Sequence, residues 1–209
     1  MPLSILSHLR KSKSPPASVS SITIVSGLPR SGTSMMMKVL ENGGMQIQTD
    51  QVRTADVDNP KGYYEYERVK KLKDGNTGWV SEVNGKVVKV VSPLLQYLPA
   101  EHSYKIIFMH RNVDEILASQ KRMMSNRDEA TDRISDEEMA QIFIKHLTEI
   151  EVWLSQQEYI EVLYIDYNHI IHHPDHDLKR INQFLDGKLA VDRMAEAIDV
   201  DLYRQRSNR

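Results

Sequence analysis

The segment SITIVSGLPRSGTSMMMKVL, residues 21–40, decides the fold that we predict for this chain. It opens with a short apolar run rich in β-branched residues, which predicts a buried strand from residue 22. A loop with two glycines follows, and the residues after Gly32 predict a helix that ends at Asn42-Gly43-Gly44. Because a loop that leads into a helix presents unpaired backbone N–H groups and the positive end of the helix dipole, the segment predicts a site for an anion, usually a phosphate.

The loop has the spacing of the phosphate-binding motif G-x-x-x-x-G-K-[ST], with one change. Thr33 stands where that motif has a lysine, while Arg30 places a positive charge inside the loop. The backbone cradle is therefore retained, but the side chain that would reach a γ-phosphate is not. A glycine loop of this kind can also be only a tight turn; its position after a strand and its arginine favour the anion site.

Composition limits the classes of protein to which the chain can belong. Its 209 residues, 40% of them hydrophobic, suit one α/β domain with a full core rather than two large domains. The net charge of −2 predicts no general attraction for polyanions, so nucleic acid is not an expected partner. The absence of cysteine excludes disulfides and thiolate chemistry. The sequence has no apolar segment long enough to predict a signal peptide or a membrane span, and the cytoplasm is the expected location.

Strand-like and helix-like segments alternate along the chain. Clear strand patterns begin near residues 22, 86, 104 and 160, and a weaker one begins near residue 45. This alternation predicts an α/β fold of three layers, a parallel sheet with helices on both faces. Residues 1–20 are basic and rich in Ser and Pro and are expected to form a flexible N-terminal arm, so the predicted single domain comprises residues 21–209.

A helix-start signal lies in the second half of the chain. Ser135 and Glu138 have the spacing of a capping box. The residues that follow, to about position 156, carry apolar side chains near 3.6-residue spacing, which predicts that this helix packs against the core.

Histidines are concentrated in one short segment. Four of the eight lie at positions 169, 172, 173 and 176. Such a cluster is a candidate metal site, but the segment crosses a predicted helix start at Pro174, which favours a solvated or helix-capping role.

A second pair of phosphate-binding side chains follows the strand that begins near residue 104. Arg111 lies at the end of that strand, and Ser119 follows eight residues later inside the next predicted helix. The fork of N–H donors on arginine matches a phosphate, and serine adds a hydroxyl. Two separate phosphate clamps indicate a nucleotide that is phosphorylated at two different places, rather than a linear triphosphate.

On these residues the sequence resembles the sulfotransferase family that uses 3′-phosphoadenosine 5′-phosphosulfate (PAPS). Residues 28–34, LPRSGTS, resemble the 5′-phosphosulfate loop of the family, and Arg111 with Ser119 matches its 3′-phosphate motif at the usual spacing. Residues 59–65, NPKGYYE, and 89–95, KVVSPLL, are similar to segments of bacterial members. The resemblance covers about residues 22–187 and implies the P-loop nucleotide-hydrolase-like sulfotransferase fold.

The resemblance also implies roles for particular residues. The cofactor would be PAPS, or PAP after transfer, with no metal, and Arg30 and Lys89 would neutralise charge during transfer. The acceptor, a hydroxyl or an amine, needs a general base, for which Asp50 is favoured over Glu65, with His110 as a competitor. The residues implied to bind the cofactor are Pro29, Arg30, Ser31, Gly32, Thr33, Ser34, Arg111 and Ser119.

Two alternatives stay open on the sequence. The first is a P-loop small-molecule kinase or nucleotide triphosphatase, which would use Mg²⁺ and an acid at a strand end such as Asp166. Thr33 in the lysine position and the Arg111–Ser119 pair argue against it. The second is a non-catalytic protein that binds PAP, which the unassigned base leaves possible.

Overall fold

Five parallel strands form the centre of the chain, in the spatial order β2-β3-β1-β4-β5. The computed structural model describes residues 21–50, 62–126 and 134–199. The strands are β1 (Ile22–Gly27), β2 (Ile47–Gln48), β3 (Val87–Lys89), β4 (Tyr104–His110) and β5 (Ile160–Asp166). All four neighbouring pairs are parallel. The predicted α/β fold is confirmed, and the weak strand pattern near residue 45 is the edge strand β2.

Helices cover both faces of this sheet. The α-helices are α1 (Thr33–Asn42), α2 (Val113–Asn126), α3 (Asp136–Ser155), α4 (Tyr167–His172), α5 (Pro174–Phe184) and α6 (Val191–Ala195). One face packs against α1, α4, α5 and α6, through a core that includes Met36, Ile170, Leu178 and Met194. The other packs against α3 and three 3₁₀ helices, Glu67–Asp74, Val80–Val83 and Ser92–Tyr97, through a core that includes Leu72, Trp79, Leu95 and Leu154.

The central strands alternate between these two cores. In β1, Val25 points into the first core, while Ile22 and Ile24 point into the second. All six residues of β1 are buried, as expected for a parallel strand covered on both faces. Full burial of each such apolar side chain contributes about 1.5–3 kcal/mol to folding. This burial holds β1, and with it the start of the predicted phosphate loop, at the middle of the sheet.

The helix α3 begins at the predicted capping box but does not pack along its whole length. The Ser135 hydroxyl accepts from the Glu138 N–H, and the Glu138 carboxylate accepts from the Ser135 N–H. Among the helix residues only Ile150 and Leu154 are buried, whereas the Ile142 side chain is 51% exposed. The expectation that α3 packs against the core as far as its N-terminal end was wrong. Glu151, near the C-terminal end of α3, already contacts His110, the last residue of β4. The N-terminal half of α3 therefore projects beyond the carboxyl edge of the sheet.

Several predicted features lie outside the described residues. These are the flexible arm, residues 1–20, the Asn-Pro-Lys part of the segment 59–65, and the C-terminal end from residue 200. Within the residues that are described, no helix is both long enough and apolar enough to cross a membrane.

Candidate active site

The predicted phosphate loop lies at the carboxyl end of the central strand. Within the sheet, β2 and β3 lie on one side of β1, and β4 and β5 lie on the other side. Ligands of such sheets bind at the carboxyl ends of the strands, at the point where the strand order reverses. The loop between β1 and α1 occupies this point.

Two glycines of the loop are required by close packing. Gly32 precedes α1 with a φ of +99°, and a Cβ there would lie 2.3 Å from the ring of Tyr167. Gly27 has a φ of +145°, and its Cβ would lie 2.7 Å from the carbonyl oxygen of Met109 in β4. Neither position has room for a side chain, so the glycine pattern recognised in the sequence has a steric reason.

Arg30 adopts a left-handed backbone conformation inside the loop, with a φ of +71°. This conformation costs a residue with a side chain roughly 1–2 kcal/mol. The guanidinium group of Arg111 donates a hydrogen bond of 3.0 Å to the Arg30 carbonyl oxygen and so helps to hold it. Strained residues cluster at ligand sites, where the surrounding structure maintains them.

The two phosphate clamps predicted from the sequence meet at this loop. Arg30 Nε donates to Ser119 Oγ at 2.9 Å, although the two residues are 89 positions apart. Together with the bond from Arg111 to the Arg30 carbonyl, this contact brings three predicted cofactor residues into one group. Their binding of phosphate stays a prediction.

Arg111 is buried against groups that the sequence reasoning missed. Its Nε lies 3.0 Å from Glu115 Oε2, and only 7% of the arginine side chain and 2% of the glutamate side chain are exposed. Asn168 Nδ2 donates to the other carboxylate oxygen of Glu115 at 3.1 Å. The guanidinium carbon of Arg111 lies 4.5 Å from the centre of the Tyr167 ring. An acid four residues after Arg111 was the only local signal of this arrangement.

Ser31 has a buried hydroxyl at the base of the loop. Its Oγ has no hydrogen-bond partner among the residues that the structure describes, and the residue is 1% exposed. A buried hydroxyl without a partner costs about 1–3 kcal/mol. The start of α1 likewise has no side-chain cap and no acidic residue in its first turn. A bound anion would satisfy both, so these residues fit the phosphate group of the implied cofactor.

Lys89 lies at the end of β3, beside the first turn of α1. Its ammonium group donates to the backbone carbonyl of Tyr63, and Ser34 Oγ donates to the same carbonyl at 3.5 Å. The structure therefore brings Lys89 next to the loop residue Ser34. Pro29 is exposed at the tip of the loop, and Thr33 is buried at the start of α1.

Each residue considered as a general base lies beside a polar or charged group. Asp50 Oδ2 accepts the backbone N–H of Glu67 at 2.6 Å and so caps the 3₁₀ helix that begins there. The carboxylate of Glu65 lies 3.8 Å from Lys70 Nζ. His110 Nε2 lies 3.1 Å from Glu151 Oε1. Asp50 thus has a structural role that the sequence did not reveal, and its role as the base stays a prediction.

A further histidine, His146 in α3, was not considered from the sequence. Its Nε2 lies 2.9 Å from Ser92 Oγ, and Ser92 is completely buried. Burial lowers the pKa of His146 below its usual value, while the nearby carboxylate of Glu149 acts in the opposite direction. The sequence feature that could have pointed to this pair is the position of Ser92, three residues after Lys89.

The histidine cluster surrounds a buried aspartate. Asp177 accepts from Arg180 at 2.9 Å and lies 2.6 Å from His169 Nδ1 and 3.4 Å from His176 Nδ1. Burial raises the pKa of Asp177, but hydrogen bonds from these partners outweigh it, and the net shift is downward. His169, His176 and Asp177 are close enough to share a metal ion. The arginine on the same carboxylate instead favours the ion-paired arrangement.

Asp166, the acid considered for a kinase, has a local structural role. Its Oδ1 accepts the backbone N–H of His169 at 2.7 Å and so caps α4.

Comparison with known proteins identifies the family. The sequence matches the family model described as the sulfotransferase domain over residues 21–205. Curated protein sequences gave no match to this chain.

Solved structures show a shared fold. Retinol dehydratase, in complex with androsterone and the inactive cofactor PAP, is 15% identical with a TM-score of 0.52; the alignment covers 86% of this chain but only 64% of that one. The sulfotransferase domain from the curacin biosynthetic pathway is 15% identical, with a TM-score of 0.50 and coverage of 90% and 92%. A sugar kinase from Janibacter sp. HTCC2649 is 11% identical, with coverage of 82% and 98% and a TM-score of 0.43. The match over residues 21–205 shows that this chain belongs to the sulfotransferase domain family.

Proposed function

We propose that this protein transfers a sulfuryl group from PAPS to a hydroxyl or amine acceptor by in-line displacement. The observation that carries the proposal is the group formed by Arg30, Ser119 and Arg111 at the start of α1. Two predicted phosphate clamps adjoin each other there, which suits a nucleotide with phosphates on both its 5′ and 3′ positions. The retinol dehydratase structure contains PAP, a nucleotide of this kind.

In this proposal the loop holds the 5′-phosphate. The backbone N–H groups from Ser31 to Ser34 and the dipole of α1 stabilise negative charge as it grows on the leaving phosphate. PAPS supplies the activated sulfuryl group. Sulfuryl transfer, like phosphoryl transfer, depends on in-line placement and charge neutralisation more than on covalent catalysis.

Positive side chains supply the remaining electrostatic stabilisation. Arg30 bridges the leaving phosphate and the sulfuryl oxygens, and Lys89 adds a second charge from the end of β3. Arg111 and Ser119 bind the 3′-phosphate, while Glu115 keeps the guanidinium group of Arg111 beside the loop. Because these side chains provide the charge, we propose that transfer needs no metal ion.

Transfer also needs a general base that takes the proton of the acceptor. Asp50 is the first candidate from the sequence, with Glu65 and His110 as its competitors. Exchange of Asp50 for asparagine keeps a side-chain oxygen that can accept the Glu67 N–H, so the cap on the 3₁₀ helix should be largely retained. A loss of turnover in this variant identifies Asp50 as the base only if cofactor affinity and folding are retained.

Calorimetric binding of PAP in EDTA, beside ATP with Mg²⁺, tests the cofactor site. We expect PAP to bind without metal, and we expect Arg111→Ala and Ser119→Ala to weaken that binding. Arg122→Ala is the matched control, because Arg122 is an exposed arginine on the same helix as Ser119. Binding of ATP with Mg²⁺ alone would contradict the proposal and favour the kinase alternative. Tight PAP binding without sulfate transfer to water or to a broad acceptor panel would favour the non-catalytic alternative.

A further inference from the structure

A serine and a histidine meet at the carboxyl edge of the sheet, on the face covered by α3. Ser92 is the first residue of the 3₁₀ helix that follows β3, and His146 projects toward it from α3. The 2.9 Å separation between Ser92 Oγ and His146 Nε2 is that of a good hydrogen bond. Ser92 is fully buried and His146 is half-buried, so the serine is fixed while part of the imidazole is accessible.

This pair lies close to the residues proposed to hold the sulfuryl group. Ser92 lies three positions after Lys89, a span of at most about 11 Å along the backbone. The Val90 N–H donates to the Val25 carbonyl, so the chain continues alongside β1 past Lys89. Lys89 in turn shares the Tyr63 carbonyl with Ser34 of the loop. His146 therefore lies at the carboxyl edge of the sheet, as the loop does, on the face covered by α3.

We propose that His146, in place of Asp50, Glu65 and His110, is the general base that removes the proton from the acceptor, and that Ser92 is a positioning residue that orients its imidazole ring. This inference rests on the proposed sulfotransferase function. His146 Nε2–H donates to Ser92 Oγ, which leaves the lone pair of Nδ1 for the acceptor. A hydrogen bond at one ring nitrogen sets the tautomer and so makes the other nitrogen the base.

The transfer step is then balanced. The acceptor oxygen or nitrogen forms a bond to sulfur as the bond from sulfur to the bridging oxygen of the 5′-phosphate breaks. The electron pair of the broken bond passes to that phosphate oxygen, and the acceptor proton passes to His146 Nδ1. The imidazolium ion that results is stabilised by its hydrogen bond to Ser92 and by the carboxylate of Glu149, three residues further along α3.

The surroundings of His146 favour the neutral ring. Burial lowers the pKa of His146 because it disfavours the imidazolium ion, and Glu149 opposes this effect only in part. The adjoining 3₁₀ helix, Ser92–Tyr97, has no ionisable side chain except that of Tyr97. Lys121 of α2 forms an ion pair with Asp136 at the start of α3. This ion pair lies more than two helical turns from His146. A neutral imidazole is a stronger base than an ionised carboxylate, and a base acts best when its pKa is near the operating pH.

Sulfate release from ³⁵S-labelled PAPS to water, and transfer to benzyl alcohol, whose hydroxyl is not ionised near neutral pH, test the role of His146. We expect His146→Gln to lower both rates by about 10²-fold or more, the usual contribution of a general base, while PAP affinity changes less than twofold. His102→Gln is the matched control, since His102 precedes β4 at the opposite edge of the sheet, and it should keep the wild-type rates. Wild-type rates in His146→Gln, or a loss of PAP affinity equal to the loss of rate, would overturn the assignment. A wild-type chain that binds no PAP would instead overturn the proposed function itself.

Nitrogen NMR of the histidine rings gives a readout that does not depend on turnover. In the PAP-bound protein we expect His146 to carry its proton on Nε2, and we expect Ser92→Ala to produce a mixture of tautomers with about a tenfold lower rate. The wild-type rate should rise with pH through the pKa that NMR measures for His146, and His146→Gln should lack this rise. A proton on Nδ1 in the wild type, or a wild-type rate in Ser92→Ala, would contradict the role assigned to Ser92.

Discussion

Removal of the Glu115 carboxylate should destabilise the protein strongly, because it takes away the acidic group that lies against the buried Arg111 guanidinium group. The two side chains are 2% and 7% exposed and lie 3.0 Å apart, and Asn168 donates a second hydrogen bond to the carboxylate. Each hydrogen bond to a charged group contributes about 1.5–3 kcal/mol, and breaking a buried ion pair costs about 3–5 kcal/mol. We therefore expect Glu115→Ala to lower the free energy of unfolding by about 3–5 kcal/mol.

Urea denaturation and a thermal melt measure this loss. For a chain of this length, 3–5 kcal/mol corresponds to a decrease in Tm of about 6–20 °C. PAP affinity should fall as well, since Arg111 would no longer be held against the Arg30 carbonyl. The matched control is Glu149→Ala, which removes an exposed carboxylate 3.8 Å from Lys145 and should cost about 0.5 kcal/mol or less.

A double variant separates the buried charge from the lost packing. Arg111→Met combined with Glu115→Leu replaces both charges with apolar groups, and it should be more stable than Glu115→Ala because neither buried charge is left. A loss below 1 kcal/mol in Glu115→Ala, or a double variant that is less stable than the single one, would refute the reasoning. The first result would mean that water reaches Arg111, and the second that the pair stabilises the fold outright.

The remaining predictions concern the loop, the transfer charge and the buried aspartate. Gly32→Ala should lower both Tm and PAP affinity, because its Cβ would lie 2.3 Å from the Tyr167 ring at a positive φ. The control is Gly85→Ala, which has a φ of +74° and open space around it, so only the backbone strain of about 1–2 kcal/mol applies. Equal losses in the two variants would contradict the steric argument. Lys89→Met should reduce sulfate transfer at least tenfold with little change in PAP affinity, measured by PAPS turnover beside calorimetry, and unchanged turnover would exclude Lys89 from the transfer step. Because the pKa of Asp177 is lowered in the folded protein, its ionised carboxylate stabilises the fold at pH values above the ordinary pKa of 3.8, and this stabilisation is lost as the pH falls through the folded-state pKa. Asp177→Asn should therefore flatten the decline in Tm at acid pH. An unchanged decline would show that other groups cause it.

Local patterns were sufficient to predict the framework of the site. The apolar run of β1, the glycines of the loop and the helix-breaking residues after α1 lie within about two dozen consecutive residues, and each acts on its own stretch of backbone. The same holds for the capping box of α3, where Ser135 and Glu138 form both predicted hydrogen bonds. Arg111 and Ser119 could be singled out because one arginine at a strand end and one serine in the next helix are a short-range pattern.

Local patterns failed where a side chain is shared between distant elements. Asp50 was considered only as a base, whereas its carboxylate caps a 3₁₀ helix that begins at Glu67. The apolar spacing of α3 predicted packing at Ile142, but the helix extends past the sheet there, and periodicity does not reveal where a sheet ends.

The amino-acid sequence by itself determined the strand–loop–helix that opens the domain, the α/β class, and the two phosphate motifs that indicate the family. These depend on backbone preferences and on the alternation of buried and exposed positions, which act over a few residues. Only the tertiary structure decided that Arg30 bonds to Ser119, that Glu115 holds Arg111 beside the loop, and that Ser92 meets His146. Such contacts join residues up to 89 positions apart, and they exist because parallel strands bring their carboxyl ends to one edge, where helices from different parts of the chain pack together.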